Sequence, residues 1–202
     1  MKDQIRATIN NLEKNRFTVR YFEDVARAVD ALLLEIAADE SVGFGGSMTA
    51  KESGIYDRLK EQGNTLFWHW MSTDKRDETL LAAASAKVYI TGTNAITMDG
   101  RLVNIDGTGN RLSSLLYGHE RVYILAGVNK IAGNLDEAMI RIKNVAAHKN
   151  AERLKLDTPC RHVGKCMNCD SPQRMCSATL IMDRQPKGFK TIIYLINQSL
   201  GY

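Results

Sequence analysis

The feature that most restricts how this chain can fold is an alternation. Short apolar runs, each about one buried strand long, lead into glycine-bearing segments and then into helical patterns. Ser41 to Phe44 runs into Gly45-Gly46-Ser47, Lys87 to Ile90 into Thr91 to Thr97, and Arg121 to Ala126 into Gly127 to Lys130. Strands separated by helices predict an α/β fold with a mostly parallel sheet. Such sheets bind ligands at the carboxyl ends of their strands. Segments 43–49, 91–97 and 127–130 are therefore expected to meet at one site.

The remaining elements follow from periodicity. Residues 2–14 carry Ile5, Ile9 and Leu12 at helical spacing, and Phe17 to Tyr21 reads as a short strand. Asp24 to Ala38 is a helix with an apolar stripe of Val25, Ala28, Val29, Leu32, Leu33 and Ile36. Ser47 is placed to cap a helix from Met48 to about Lys60, since its hydroxyl can accept a free backbone N–H. Thr65 to Trp70 is a strand, Asp77 to Ser85 a helix, and Arg111 to Tyr117 another. Asn134 and Glu137 form a capping-box pattern for a helix to about His148. Runs 178–182 and 190–196, joined through Gln185 to Gly188, read as an antiparallel pair closing the sheet. No repeat or linker divides residues 1–202, which suit a single domain.

The stretch from Thr91 to Arg111 points most directly to function. Asp99-Gly100 is a hairpin-turn signal, Arg101 to Ile105 alternates like a half-buried strand, and Asp106 to Asn110 is a second glycine-rich loop. Two polar loops around one short hairpin make a poor core and a good pocket for a polar small molecule. The competing reading is plain turn formation, because Gly and Asn tolerate positive φ at low cost. Gly43 to Thr49 opens a helix and offers backbone N–H groups to an anion. It matches neither the phosphate-loop pattern nor a full dinucleotide fingerprint, and no organic cofactor is identifiable. Asp99, Asp106, Lys130 and Glu52 are the acid–base candidates, each also readable as a solvated loop charge. His69 and His119 are isolated, and structural roles suit them better than catalysis.

Composition narrows the class. Apolar content of 44% and charged content of 25% fit a soluble globular protein. No run approaches a transmembrane length, and the charged N-terminal helix has no signal-peptide core, so the cytoplasm is expected. The net charge of +4 is mild, without the basic run of a nucleic-acid binder, and suits an anionic small molecule.

All four cysteines, Cys160, Cys166, Cys169 and Cys176, fall in one short segment, spaced C-x5-C-x2-C-x6-C. Cytosolic cysteines grouped this way are more often metal ligands than disulfides. Zinc and an iron–sulfur cluster stay open as occupants, since zinc sites usually show two short pairs and clusters tolerate varied spacing.

The ordered set Gly45 to Thr49, Thr91 to Thr97, Asp99 to Arg111, Gly127 to Lys130 and the cysteine segment resembles the LUD domain, a family named for lactate utilisation. More distantly, 91–111 is similar to the substrate loops of sugar-phosphate isomerases and CoA transferases. The resemblance covers nearly the whole chain and implies a Rossmann-like α/β fold of that type. It also implies a link to lactate or organic-acid use, although the chain lacks the ferredoxin-like cysteine run of a cluster-bearing partner.

Two functions are expected in competition. In the first, Gly45, Gly46, Ser47 and Thr49 hold the anionic group of an organic acid, sugar phosphate or CoA ester. Gly92, Thr93, Asn94, Asn104, Asp106, Gly107, Gly109 and Asn110 then shape and orient the site, Lys130 offsets charge, and Asp106 is the first choice for proton transfer if the protein turns a substrate over. In the second, the chain is a non-catalytic subunit whose metal-bearing segment docks onto an iron–sulfur oxidoreductase partner.

Overall fold

A computed structural model describes residues 2–202. The chain opens with α1 (Lys2–Lys14), β1 (Thr18–Phe22), α2 (Val25–Glu35) and β2 (Ser41–Phe44). Helices α3 (Met48–Ser53) and α4 (Ile55–Gln62) precede β3 (Thr65–Phe67), α5 (Arg76–Ala84) and β4 (Val88–Gly92). Next come β5 (Ala95–Thr97), β6 (Leu102–Asp106), α6 (Asn110–Leu116) and β7 (Arg121–Gly127). A 3-10 turn at Val128–Lys130 leads to β8 (Ile131–Ala132), α7 (Leu135–Arg141), a π-helical stretch (Ile142–Ala147) and α8 (His148–Arg153). The cysteine segment holds α9 (Pro159–Val163), before β9 (Ala178–Met182) and β10 (Lys190–Ile196).

Six strands form one sheet in the order β1-β10-β7-β4-β2-β3, with every pair parallel. Its central strands are buried along nearly their whole length because both faces are covered. Along β7, Tyr123 and Leu125 pack with Leu32 and Ile36 of the α2 layer and with Leu59 of α4. The intervening Val122, Ile124 and Ala126 pack with Leu12 of α1 and Leu115 of α6 on the other side. The result is an α/β fold with a parallel sheet between two covering layers.

A second sheet, β8-β5-β6-β9, lies in the layer with α1. Its β5–β6 hairpin turns at Asp99-Gly100, where the Gly100 N–H donates to Thr97 O. Gly100 has φ +88°, and a Cβ there would sit 2.5 Å from the α1 backbone at Asn11. Both the turn and the close helix require glycine.

Several expectations change. The final two strands are not an antiparallel pair. β10 is inserted in parallel between β1 and β7, while β9 runs antiparallel to β6 at the edge of the second sheet. The physical reason is burial: Thr191–Ile196 is buried at every position and needs cover on both faces, whereas β9 buries only Met182. The helix expected over 48–60 breaks at Gly54, whose φ of +71° ends α3. Strand β3 stops at Phe67, and Trp68 O instead accepts turn bonds from the N–H groups of Met71 and Ser72. The helix begun at Asn134 passes through the π stretch and runs on to Arg153. Among the described residues, no helix is long and apolar enough to cross a membrane.

Candidate functional site

The carboxyl ends of β2, β4 and β7 open into one cleft of about 200 Å³. Gly46 and Ser47 come from the first segment, Gly92, Thr93 and Asn94 from the second, and Lys130 from the third. Asp106, Gly107 and Asn110 join from the loop after β6. Nine sequence candidates thus share one cavity.

Four others support it from behind. The Gly45 N–H donates to Ile90 O, so that amide is spent on the sheet and not offered to an anion. Thr49 is fully buried and donates its hydroxyl to Leu200 O. Asn104 is fully buried and accepts the Asn94 N–H on Oδ1 at 3.2 Å. Gly109 has φ +85° and starts α6. Of the remaining acid–base candidates, Asp99 pairs with Arg101 at the hairpin turn, and Glu52 accepts the Gly201 N–H at 2.7 Å.

The floor is held by bonds between distant residues. Ser47 caps α3 by accepting the Ala50 N–H at 3.1 Å. Asn94 accepts both the Ile105 N–H and an Arg111 N–H on one oxygen, each at 2.9 Å. Arg111 also donates to Ile105 O at 2.6 Å and lies 3.7 Å from Asp106. The Asp106 carboxylate accepts the backbone N–H groups of Thr108 and Arg111 at 3.3 and 3.2 Å, which orders the glycine loop and the start of α6. Arg141, from α7, donates to Asn94 O and to Asn129 O.

Lys130 is 3% exposed and donates to Thr49 Oγ1 at 2.7 Å. Burial, then the nearby guanidiniums of Arg141 and Arg111, push its pKa down to about 7, with Glu52 opposing. Among the described residues no carboxylate pairs with it.

Sequence reasoning missed much of the rim. His69 and Trp70 reach the cleft from the turn after β3, with Arg76 from the start of α5 and Arg153 and Tyr202 from later in the chain. Arg153 lies 4.3 Å over the Trp70 ring, donates to Tyr202 OH at 2.9 Å and to Asn150 Oδ1 at 2.7 Å. Trp70 in turn packs on Gly46, where a Cβ would be 3.1 Å from the ring. His69 has a buried Nδ1 without a partner, and burial followed by Arg76 lowers its pKa. A position just past a parallel strand's carboxyl end was the available signal for His69 and Trp70. His119, by contrast, is buried far along the fold, with Nδ1 2.7 Å from Ala86 O and its ring stacked on Tyr89.

The lining therefore carries the guanidiniums of Arg76, Arg111 and Arg153 and the amine of Lys130 against one carboxylate, Asp106. Such a field attracts an anion.

The cysteine segment forms one wall. Met175 crosses Gly107, where a Cβ would lie 3.1 Å from Met175 Cα, so this glycine admits the protein's own wall. Cys176 lines the cleft beside it. All four thiols are free and half-buried. Burial raises the Cys176 pKa, and Cys166, Cys160 and Cys169 are near enough to add to that rise. The donor chemistry suits zinc or an iron–sulfur cluster, yet among the described residues no three His, Cys, Asp or Glu side chains converge at ion-holding distance. His162 faces Asp157 at 3.2 Å.

A family model described as LUD domain matches residues 5–196. A duf162 family protein from Deinococcus radiodurans has a similar crystal structure, with TM-score 0.51, 9% identity, and 96% of this chain and 97% of that one covered. At that identity the likeness is one of fold. eIF2B beta from Chaetomium thermophilum aligns at TM-score 0.40 and 14% identity, over 56% of this chain and 44% of that one. Among curated proteins none matches.

Proposed function

We propose, on the premise that this chain belongs to the LUD domain family, that its cleft binds a small organic anion in the cytoplasm. The observation that carries this reading is the charge balance of the lining, three guanidiniums and the Lys130 amine to one carboxylate in about 200 Å³. That volume lies below the roughly 300–1,000 Å³ of pockets that enclose drug-sized ligands. A short carboxylic acid or small phosphate fits it better than the body of a CoA ester. The family's name agrees with a part in lactate or other organic-acid utilisation.

In this reading Ser47, Asn94 and Asn110 orient the ligand and Lys130 meets its charge. Asp106 holds Arg111 and the glycine loop in place, since both of its oxygens already accept N–H groups. Proton transfer by Asp106 would require it to release one of them.

A thermal-shift series with lactate, small phosphates and a CoA ester tests the proposal. A ligand at about a hundred times its Kd should stabilise the native state by about 2.7 kcal/mol. Absence of any shift with every anion at millimolar concentration would remove the reading.

A second reading, a metal-bearing subunit of an oxidoreductase, rests on the grouping of four free cysteines, Cys160, Cys166, Cys169 and Cys176, in one short segment. Metal analysis and the visible spectrum of anaerobically purified protein test it. Bound iron with broad absorbance near 400 nm, roughly where iron–sulfur thiolate centres absorb, would support it, and metal-free protein would not.

A further inference from the structure

We propose that Lys130 is a carbonyl-reactive amine, and that the anion taken by the cleft is a small 2-oxo acid captured on it as an imine. This rests on the anion-binding reading above and goes further by naming a functional group and a covalent step.

The geometry around Nζ carries the inference. Lys130 lines the cleft yet is almost fully buried. Its one hydrogen bond leaves the nitrogen lone pair free. Thr49 donates its own hydroxyl proton to Leu200 O, so Thr49 accepts from Lys130 and the amine is the donor. A neutral amine can make that bond as well as an ammonium can. No carboxylate pairs with Nζ among the described residues, and the guanidiniums of Arg111 and Arg141 disfavour the charged form.

The nitrogen is bordered by glycine backbone. A Cβ on Gly92 would lie 3.6 Å from Nζ, and one on Gly201 would lie 3.5 Å from it. Gly92, Ser47 and Lys130 all line the cleft, so the Gly92 side of Nζ is the side that faces it. The Ser47 hydroxyl borders that same space, 2.7 Å from the position of a Gly92 Cβ. It can hand a proton to the oxygen of an adduct and take one back.

The step balances without a further reactant. The Nζ lone pair attacks the carbonyl carbon, a C–N bond forms, and the carbonyl π pair moves to oxygen. Both amine protons then leave with that oxygen as water, and a C=N bond remains. The ligand's carboxylate stays as the anionic group facing the cleft's arginines. Depressed pKa values in desolvated lysines beside other cations are the known means of activating such an amine.

The test treats the full chain with glyoxylate or pyruvate at about neutral pH, adds borohydride, and maps the adduct by peptide mass. Lys130 should be labelled about tenfold or more faster than any other lysine, with half-maximal rate near its own lowered pKa of about 7. Inorganic phosphate should slow the labelling by competition. The variant Lys130→Arg keeps the charge and should lose the adduct. If that variant does not fold, the other lysines of the native chain remain the internal comparison. Thermal shifts with phosphate and with the 2-oxo acids are measured in parallel. Binding without preferential labelling of Lys130 overturns the imine and leaves anion binding standing. Neither binding nor labelling overturns both.

Discussion

At the floor of the cleft, Lys130, Thr49, Asn94, Asn104 and Arg111 are buried or half-buried and tied to backbone far away in sequence. On the opposite wall, the cysteine segment is half-exposed and held mainly by side-chain bonds to nearby backbone, such as Arg174 to Cys169 O at 2.7 Å. Both regions face the same ligand space. The floor is set by the packing of the sheet, so its donors are aimed before a ligand arrives, and little ordering cost remains at binding. The wall is attached at Gly107, at Ser177, whose N–H donates to Asp106 O, and at Asn144, which accepts the Cys166 N–H. Positions whose aim is fixed by sheet packing thus come from strand ends, and the loop supplies positions held mostly by local bonds.

The sharpest way to break that contrast is Arg111→Ala. It strips Asn94 and Ile105 O of a donor and leaves Asp106 without its cation. Removing one partner of a largely buried pair costs about 3–5 kcal/mol, to be read from urea unfolding. A loss below about 1 kcal/mol would show the floor to be no better determined than the wall.

Next in size is the pH dependence set by Lys130. Its folded pKa of about 7 lies below the unfolded value of 10.5. Between those values the unfolded chain binds more protons, so the contribution of this group to stability rises with pH. The cost of burying the charged form is fully present below about pH 7 and has gone above about pH 10.5. Lys130→Met removes that cost. Its stability advantage over the native chain should therefore shrink by about 2.6 kcal/mol between roughly pH 6 and pH 9. An advantage that stays level with pH would mean that the amine is solvated.

Asn94→Ala comes third. It leaves the Ile105 N–H and one Arg111 N–H without their acceptor, at about 1–3 kcal/mol. The same variant should weaken anion binding, because Arg111 loses its aim. Smallest is the wall itself. Cys176→Ser or Cys166→Ser should change the stability of metal-free protein by about 0.5 kcal/mol or less, as for other partly exposed positions without special partners. A loss of several kcal/mol on either change would make the segment part of the framework.

Much of the framework could be read from local pattern. Ser47 before a helix, Asp99-Gly100 between alternating runs and Asn134 before Glu137 are signals complete within a few residues, and each forms its element as expected. The convergence of 46–47, 92–94 and 130 followed from one topological rule about parallel strands. The rule could not rank individual residues. It nominated Gly45 with Ser47, although Gly45 spends its N–H on the sheet, and the glycine-loop pattern nominated Gly109, which only turns the chain. The rule passed over Arg153 and Tyr202, which lie more than a hundred residues from Ser47 and reach the cleft from α8 and from the chain beyond β10.

The misplacement of β9 and β10 has the same origin. Two apolar runs joined by Gln185 to Gly188 satisfy the hairpin pattern, and only the competition for burial assigns them to different sheets. The sequence by itself determined the alternation, the helix caps, the turn chemistry and therefore the α/β class, because these depend on bonds and periodicities within a few residues. Tertiary structure alone decided strand order, which polar groups face the cleft and how far Lys130 is desolvated. Those outcomes depend on which distant surfaces exclude water from one another.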